Sequence, residues 1–289
     1  MATIAWLGTG RMGTPMAARL AAAGHDVRVW NRTPQRAARA VAQGARQAGT
    51  PADAAAGAEL VVTMLADAEA VLDALTGPAG AAGAMDPTCT YIDMSTVGPD
   101  GVSRIAAALP AGVAMLDAPV LGSVPQATEG SLRIFVGGDP ALLTRWHAVL
   151  SVLGTPRHLG PLGAGAAMKL VVNATLVDLM TALGEALALA DALRLDQATV
   201  LEVLADAPIG PTVRSKRDLL EHDRYPARFT LALAAKDARL VEETAAARGV
   251  ELRLARAARS WLEEAVADGL GDLDYAAVVA QVRHRPAAE

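Results

Sequence analysis

A glycine-rich stretch near the amino terminus constrains the fold of this chain more than any other feature. The apolar run from Thr3 to Leu7 predicts a strand that leads straight into the loop from Gly8 to Gly13, and a helical pattern of apolar residues follows. Val27, Val29 and Trp30 then alternate as a second strand. This order of strand, glycine loop, helix and strand predicts a nucleotide-binding unit.

The glycines of this loop have separate roles in such a unit. Gly8 makes the tight turn, Gly10 lets the backbone approach a pyrophosphate, and Gly13 allows the helix to pack closely on the strand. We therefore expect a dinucleotide cofactor here, with Arg11 and Met12 as further contacts. A purely structural turn is the alternative.

The residues after the second strand indicate which dinucleotide binds. An NAD site usually carries an acid there for the ribose 2′-hydroxyl, but this chain has Asn31, Arg32 and Thr33. A guanidinium and two small polar side chains suit a 2′-phosphate, which a carboxylate would repel. The prediction is therefore NADP; the alternative is a solvated Arg32 beside a turn-forming Asn31.

Strand and helix patterns alternate through the first half of the chain and then give way to helices alone. This alternation predicts an α/β fold, a Rossmann-like, doubly wound parallel sheet, followed by an all-α part. The division is expected near Pro161, giving a cofactor domain over 1–161 and a helical substrate and dimerisation domain over 162–289. The predicted strands span 58–65, 90–94, 113–117, 132–136 and 157–159, and the predicted helices 68–75, 99–109 and 140–153.

Composition narrows the function classes. The net charge of −5 gives no basic surface for nucleic acid, and no apolar run is free enough of glycine, proline or polar residues to predict a membrane span. Cys89 is the single cysteine, and the five histidines lack metal-ligand spacing, so no metal is expected. With no signal-peptide pattern, a cytoplasmic enzyme acting on a small-molecule substrate is the default expectation.

A lone lysine marks the middle of the chain. Lys169 is the one charged residue between Arg157 and Asp178, in a segment whose apolar positions have helical spacing. Asn173 follows four residues later, on the same helix face. Because burying an unpaired ammonium costs several kcal/mol, such a lysine either snorkels to water or lines a polar cleft.

Loops after the predicted strands supply further candidates. Met64 and Leu65 end the strand at 58–65 and are expected at the cofactor. Thr96, with Ser95 beside it, follows the next strand, where open α/β sheets bind ligands, although either hydroxyl could instead cap the following helix. The backbone N–H groups of Gly122 and Ser123 could hold a carboxylate, or could form an ordinary loop.

Taken together, these motifs resemble those of the β-hydroxyacid dehydrogenases, a family that includes 3-hydroxyisobutyrate dehydrogenases and glyoxylate/succinic semialdehyde reductases. The resemblance covers nearly the whole chain, and the semialdehyde reductases are the most similar subgroup. The matching segments are the glycine loop, Asp93-Met94-Ser95-Thr96, Asp117-Ala118-Pro119-Val120, Gly163 to Asn173, Phe229 through Lys236-Asp237, and Gly269 to Asp274.

The resemblance implies roles that the residues alone do not. Lys169 would be catalytic, giving a proton to the alkoxide that hydride transfer creates, and Asn173 would support the substrate. Thr96 would lie beside the nicotinamide and Lys236 would contact the cofactor. Asp237 would belong to the active-site network, with Phe229 also at the substrate.

One position departs from the family. Members usually place a serine after Asp-Ala-Pro-Val, where it helps to hold the substrate carboxylate, and this chain has Leu121. The change implies a less polar pocket and a bulkier substrate than glyoxylate, unless Ser123 compensates.

Two other functions and an assembly state complete the expectations. An imine reductase of the same fold usually replaces the lysine, and a non-catalytic NADP-binding module usually loses it or adds interaction domains. Retention of Lys169 argues against both. The apolar helices after Gly163 and the family resemblance together predict a homodimer or homotetramer.

Overall fold

The computed structural model describes residues 1–284, and the chain forms two compact units, Met1–Lys169 and a second from Leu170 onward. The predicted domain boundary after residue 161 stays a prediction. The two compact units meet slightly later, between Lys169 and Leu170, within a helix.

The first unit is built on one nine-stranded sheet, ordered β3-β2-β1-β4-β5-β6-β8-β7 with β9 beside β8. The order reverses at β1, whose neighbours are β2 and β4, so the crevice at the carboxyl ends of β1 and β4 is the expected ligand position. The strands are β1 Thr3–Leu7, β2 Asp26–Trp30, β3 Arg46–Gln47, β4 Leu60–Thr63, β5 Thr90–Asp93, β6 Ala114–Asp117, β7 Val120–Leu121, β8 Leu132–Gly138 and β9 Gly154–Gly160.

Helices cover this sheet, and the central strands are fully buried because apolar side chains meet helices on their faces. The helices of the first unit are α1 Gly13–Ala22, α2 Ala38–Val41, α3 Pro51–Ala55, α4 Ala68–Thr76, α5 Gly98–Ala108, α6 Val124–Glu129 and α7 Pro140–Leu153, with 3₁₀ turns at Pro34–Ala37 and Ala81–Ala84.

Most of the predicted pattern is present. The first strand, the helix at 140–153 and the alternation through the first half are confirmed. The strand predicted at 58–65 is shorter, and the one at 132–136 is longer. Beyond β6 the sheet is mixed. β8 runs antiparallel to β6 and β7, because the chain returns through the short α6 instead of a full crossover, and β9 then pairs with β8 in parallel.

The second unit is helical around a core of leucine, valine and alanine side chains. The long α8 contains the point at which the chain divides, and by length and composition alone it could cross a membrane. Its inner face, including Val177, Met180 and Leu183, packs in the core of this unit. The helices are α8 Ala164–Ala192, α9 Gln197–Asp206, α10 Gly210–His222, α11 Leu231–Ala246, α12 Arg253–Ala265 and α13 Val278–His284.

Candidate active site

The glycine loop has the geometry that a pyrophosphate requires. Gly8 adopts a φ of +111°, and a Cβ there would overlap the carbonyl oxygen of Met64, which follows the neighbouring strand β4. A Cβ at Gly13 would overlap the Gly8 carbonyl oxygen, whereas at Gly10 it would meet no atom within 4 Å. The backbone is therefore packed at Gly8 and Gly13 and open at Gly10.

Asn31 joins this loop to the tip of β2. Its Oδ1 accepts the Thr9 N–H at 3.1 Å, and its Nδ2 donates to the Thr33 carbonyl oxygen at 3.0 Å. Its side chain thus organises the backbone, and the second Nδ2–H of Asn31, with Arg32 and Thr33, remains a candidate to face a 2′-phosphate. The buried Thr9 Oγ1 has no hydrogen-bond partner among the described residues, a second feature that fits a ligand at the loop.

A groove of about 780 Å³ runs from the glycine loop along α1. Gly10 and Arg11 line it, together with Arg36 and Arg39 from the segment after β2. Neither of these last two arginines was predicted from the sequence. They lie three residues apart shortly after Thr33, a spacing that places both on one side of a helical turn and could have indicated them.

A buried chain of hydroxyls lies where β4 and β5 end. The Tyr91 hydroxyl donates to Thr63 Oγ1 at 2.5 Å, because the Thr63 proton goes to Asp93 Oδ1 at 2.7 Å. The Ser95 N–H also donates to that oxygen, and Ser95 Oγ accepts the Leu65 N–H at 2.9 Å. The network thereby joins the two loops that carry Leu65 and Ser95.

Burial dominates the electrostatics of this network. It raises the pKa of Asp93 to about 6, against the hydrogen bonds from Ser95 and Thr63, which favour the carboxylate. Burial also holds the pKa of Tyr91 well above its ordinary value. The N-cap residue of α5 is Val97, which provides no side-chain cap, and the Ser95 hydroxyl accepts the Leu65 N–H.

Asp117, at the end of β6, holds the start of α8. Its Oδ1 accepts the Gly163 N–H at 2.7 Å and its Oδ2 accepts the Ala166 N–H at 2.6 Å. Burial raises the pKa of Asp117, which is 1% exposed. Lys169, half-buried, follows Ala166 by three residues on the same helix.

Three predicted residues meet in the second unit. The buried Asn173 donates through Nδ2 to Asp237 Oδ2 at 2.7 Å, and Lys236 Nζ lies 2.6 Å from Asp237 Oδ1. Asp237 therefore fixes which way the Asn173 amide faces, with the nitrogen toward Asp237.

Phe229 is held by a second buried acid of this unit. Asp274 Oδ2 accepts the Arg228 and Phe229 N–H groups, and Asp274 Oδ1 lies 2.6 Å from Lys216 Nζ. The Phe229 ring packs at 5.6 Å from that of Tyr275, measured between centroids. The Phe229 backbone is thus fixed by one carboxylate.

The segment from Leu121 to Ser123 forms hydrogen bonds within the protein that a substrate would have to replace. Leu121 ends β7, opposite Arg133 of β8, and is half-buried. The Ser123 N–H donates to Gln126 Oε1 at 2.9 Å, so it would have to exchange that acceptor to hold a substrate carboxylate. Ser123 is the N-cap residue of α6, and its hydroxyl is buried.

Comparison with known proteins decides the family. Residues 3–169 match the model of the NAD-binding domain of 6-phosphogluconate dehydrogenase, and residues 163–282 that of the NAD-binding region of NADP-dependent 3-hydroxyisobutyrate dehydrogenase. Glyoxylate/succinic semialdehyde reductase 1 of Arabidopsis thaliana is 34% identical over 97% of this chain and 98% of its own. The chain belongs to the β-hydroxyacid dehydrogenase family. It is an oxidoreductase with an NAD(P)-binding domain.

Solved structures agree with this β-hydroxyacid dehydrogenase assignment. Mycobacterium tuberculosis 3-hydroxyisobutyrate dehydrogenase, solved with L-serine, superposes with a TM-score of 0.85 at 33% identity, covering 98% of this chain and 99% of that one. An imine reductase from Pseudomonas sp. shares the fold, with a TM-score of 0.63 at 23% identity and coverage of 97% and 99%. Within residues 1–284 no three His, Cys, Asp or Glu side chains cluster to hold a metal ion.

Proposed function

We propose that this enzyme uses NADPH to reduce a short aldehyde or semialdehyde bearing a carboxylate to its hydroxy acid, with Lys169 as proton donor. One observation carries the proposal. The lysine lies near the start of α8, and Asp117 at the carboxyl end of β6 anchors that start, in the compact unit that contains the glycine loop. The nicotinamide, when bound, supplies the hydride.

The chain's own residues supply the remaining chemistry. Hydride addition to a carbonyl carbon leaves an alkoxide, and the Lys169 ammonium gives that oxygen its proton. In the reverse direction the neutral amine accepts the proton of the alcohol. Asn173, whose amide Asp237 orients, supports the substrate, and Thr96 and the Met64–Leu65 loop flank the nicotinamide.

Arginines beside the glycine loop support NADPH over NADH. Arg32 stands where an NAD site would carry an acid, and Arg36 lines the groove with Gly10 and Arg11. A lost charge-assisted contact to phosphate is worth about 1.5–3 kcal/mol, so Arg32→Ala should weaken NADPH binding at least tenfold more than NADH binding. Arg145→Ala, on the exposed face of α7, is the control; equal KM values for both cofactors in the wild type would contradict the proposal.

Leu121 sets the expected substrate size. A leucine in place of the family serine favours a substrate longer or more apolar than glyoxylate, with Gly122, Ser123 and Phe229 as further pocket residues. Leu121→Ser should raise kcat/KM for glyoxylate relative to a longer semialdehyde. An unchanged or opposite preference would show that position 121 does not select the substrate.

A screen of NADPH oxidation separates the competing functions. Short aldehydes, 2-oxo acids and cyclic imines are offered to the wild type, and Lys169→Ala is tested on each substrate that reacts. We expect turnover of a carboxylated aldehyde that depends on Lys169. Turnover confined to cyclic imines would support the imine reductase, and NADPH binding without any turnover would support the non-catalytic module.

The outer face of α8 supports a homodimer or homotetramer. Val171, Leu179 and Leu189 lie on one side of the helix, and Val171 is 63% exposed. Exposed apolar stripes of this length mark protein interfaces, and a second copy of the chain is the proposed occupant. Light scattering at micromolar concentration tests this, and a monomer would contradict it.

A cytoplasmic location is part of the same proposal, and cell fractionation tests it.

A further inference from the structure

Asp117 lies in a tightly packed part of the first unit. It is the register partner of Asp93 on the neighbouring strand β5, and both carboxylates are buried. No lysine or arginine in residues 1–284 forms an ion pair with either. Asp117 instead directs its two oxygens at two N–H groups in and just before the first turn of α8.

This arrangement fixes the position of a helix end. The first N–H groups of a helix have no partner within the helix, and a carboxylate there satisfies them and complements the helix dipole. Because one oxygen binds the Gly163 N–H and the other the Ala166 N–H, both the rotation and the height of the first turn are set.

Gly165 adds a second constraint on the same turn. A Cβ at this position would overlap the Phe135 carbonyl oxygen of β8 and would lie 2.9 Å from Asp117 Oδ2. The first turn of α8 is therefore seated directly on the sheet, without room for even one methyl group. Lys169 lies in the next turn of the same helix, so the position of its Cα is fixed by the position of the first turn.

We propose that Asp117 is a positioning residue for the reaction: by clamping the Gly163 and Ala166 N–H groups, it fixes the helix turn from which Lys169 reaches the substrate oxygen. The inference rests on the proposed role of Lys169 and adds the group that sets its location. Asp117 itself touches neither substrate nor cofactor in this account.

Asp117→Asn is the most direct test. The carboxamide has nearly the same shape, but it can accept from one N–H while its own NH₂ opposes the other. A displacement near 1 Å costs about 100-fold in rate, so we expect kcat to fall about 10- to 100-fold while the NADPH Kd stays within about twofold. Asp139→Asn is the matched control, because Asp139 caps α7 through the Ala141 N–H and should leave kcat within about twofold.

A double-variant cycle separates positioning from general damage. If Asp117 acts through Lys169, Asp117→Asn should lower the residual rate of Lys169→Ala by less than about twofold. An equal loss in both backgrounds would overturn the positioning role while leaving the role of Lys169 intact. If Lys169→Ala alone retains activity within about threefold, the proposed function fails, and this inference fails with it.

Hydrogen exchange keeps the test decisive if Asp117→Asn is unstable. Asp117→Ser is smaller and leaves room for a water between its hydroxyl and the two N–H groups, so it should fold and show a loss of kcat at least as large as that of Asp117→Asn. In either variant, amide exchange in a peptide covering 163–169 should accelerate at least tenfold, while peptides of α7 stay unchanged. Unaltered exchange at 163–169, or kcat within about twofold of wild type in the folded variant, would overturn the proposal.

Discussion

The two units bury their acids in opposite ways. Four carboxylates are buried among the described residues, two in each unit. In the first unit, Asp93 and Asp117 are held by hydroxyl and backbone N–H donors. In the second unit, Asp237 and Asp274 each lie 2.6 Å from a lysine ammonium.

The difference separates two uses of a buried carboxylate. Neutral donors do not compensate the charge of a buried carboxylate, so burial raises the pKa of Asp93 and of Asp117. Their hydrogen bonds nevertheless hold backbone segments in fixed positions. A lysine partner compensates the charge instead, so removing that partner leaves an uncompensated buried ion. The first unit should therefore respond to pH, and the second to deletion of a cation.

The largest expected effect is in the second unit. Lys216 is 11% exposed at its side chain and pairs with the fully buried Asp274, which also accepts the Arg228 and Phe229 N–H groups. Lys216→Met should lower the free energy of unfolding by about 3–5 kcal/mol, because Asp274 is left as an unpaired buried charge. Denaturant unfolding measures the loss.

The matched control for Lys216→Met is the next residue on α10. Arg217 pairs with Glu221 on the surface, so Arg217→Met should cost no more than about 1 kcal/mol. Equal losses in the two variants would remove the contrast between a buried and an exposed pair.

The next effect is a pH dependence in the first unit. Unfolded Asp93 loses its proton near pH 3.8, whereas burial raises its pKa to about 6 in the folded chain. The folded state binds the extra proton between these values, so the stability that this proton contributes is lost as the pH rises through about 6. The difference between the two pKa values corresponds to about 3 kcal/mol in the free energy of unfolding.

Asp93→Asn should remove this contribution. Relative to the variant, the wild type should lose stability between pH 4 and pH 7, and thermal melting of both proteins across that range measures the difference. An equal change of melting temperature with pH in the two proteins would show that folding does not raise the pKa of Asp93.

The smallest effect compares two buried threonines. The Thr63 hydroxyl is hydrogen-bonded to both the Tyr91 hydroxyl and Asp93 Oδ1. Thr90 Oγ1 is equally buried but has no hydrogen-bond partner among the described residues. Thr63→Val should cost about 1–2 kcal/mol, and Thr90→Val should be neutral or stabilising. Chemical denaturation ranks the two, and a greater loss at Thr90 would contradict the network.

The sequence predicted the local parts of the fold well. The loop from Gly8 to Gly13, the helix at Pro140–Leu153 and the alternation of strands and helices all follow from periodicity and turn residues within a short window. The antiparallel turn at β7 and β8 did not follow, because the pairing partner of a strand depends on contacts distant in sequence.

The same limit applies to the candidate site. Asp93 and Asp117 were visible as parts of motifs, but their adjacency comes from the register of β5 on β6, which no local pattern encodes. Asn31 was predicted at a phosphate, and its bonds to the Thr9 and Thr33 backbone are interactions within the loop that residue type alone does not reveal. The Lys216–Asp274 pair joins residues far apart in the chain.

Single-turnover kinetics of Lys169 variants test the central claim most directly. Enzyme loaded with NADPH is mixed with the carboxylated aldehyde that the substrate screen selects, and NADPH fluorescence is followed for the wild type, Lys169→Ala and Lys169→Arg. We expect Lys169→Ala to react about 10²- to 10⁴-fold more slowly with NADPH affinity nearly unchanged, and Lys169→Arg to rescue little because a guanidinium keeps its proton. A Lys169→Ala enzyme that reacts within about threefold of the wild-type rate would contradict the account.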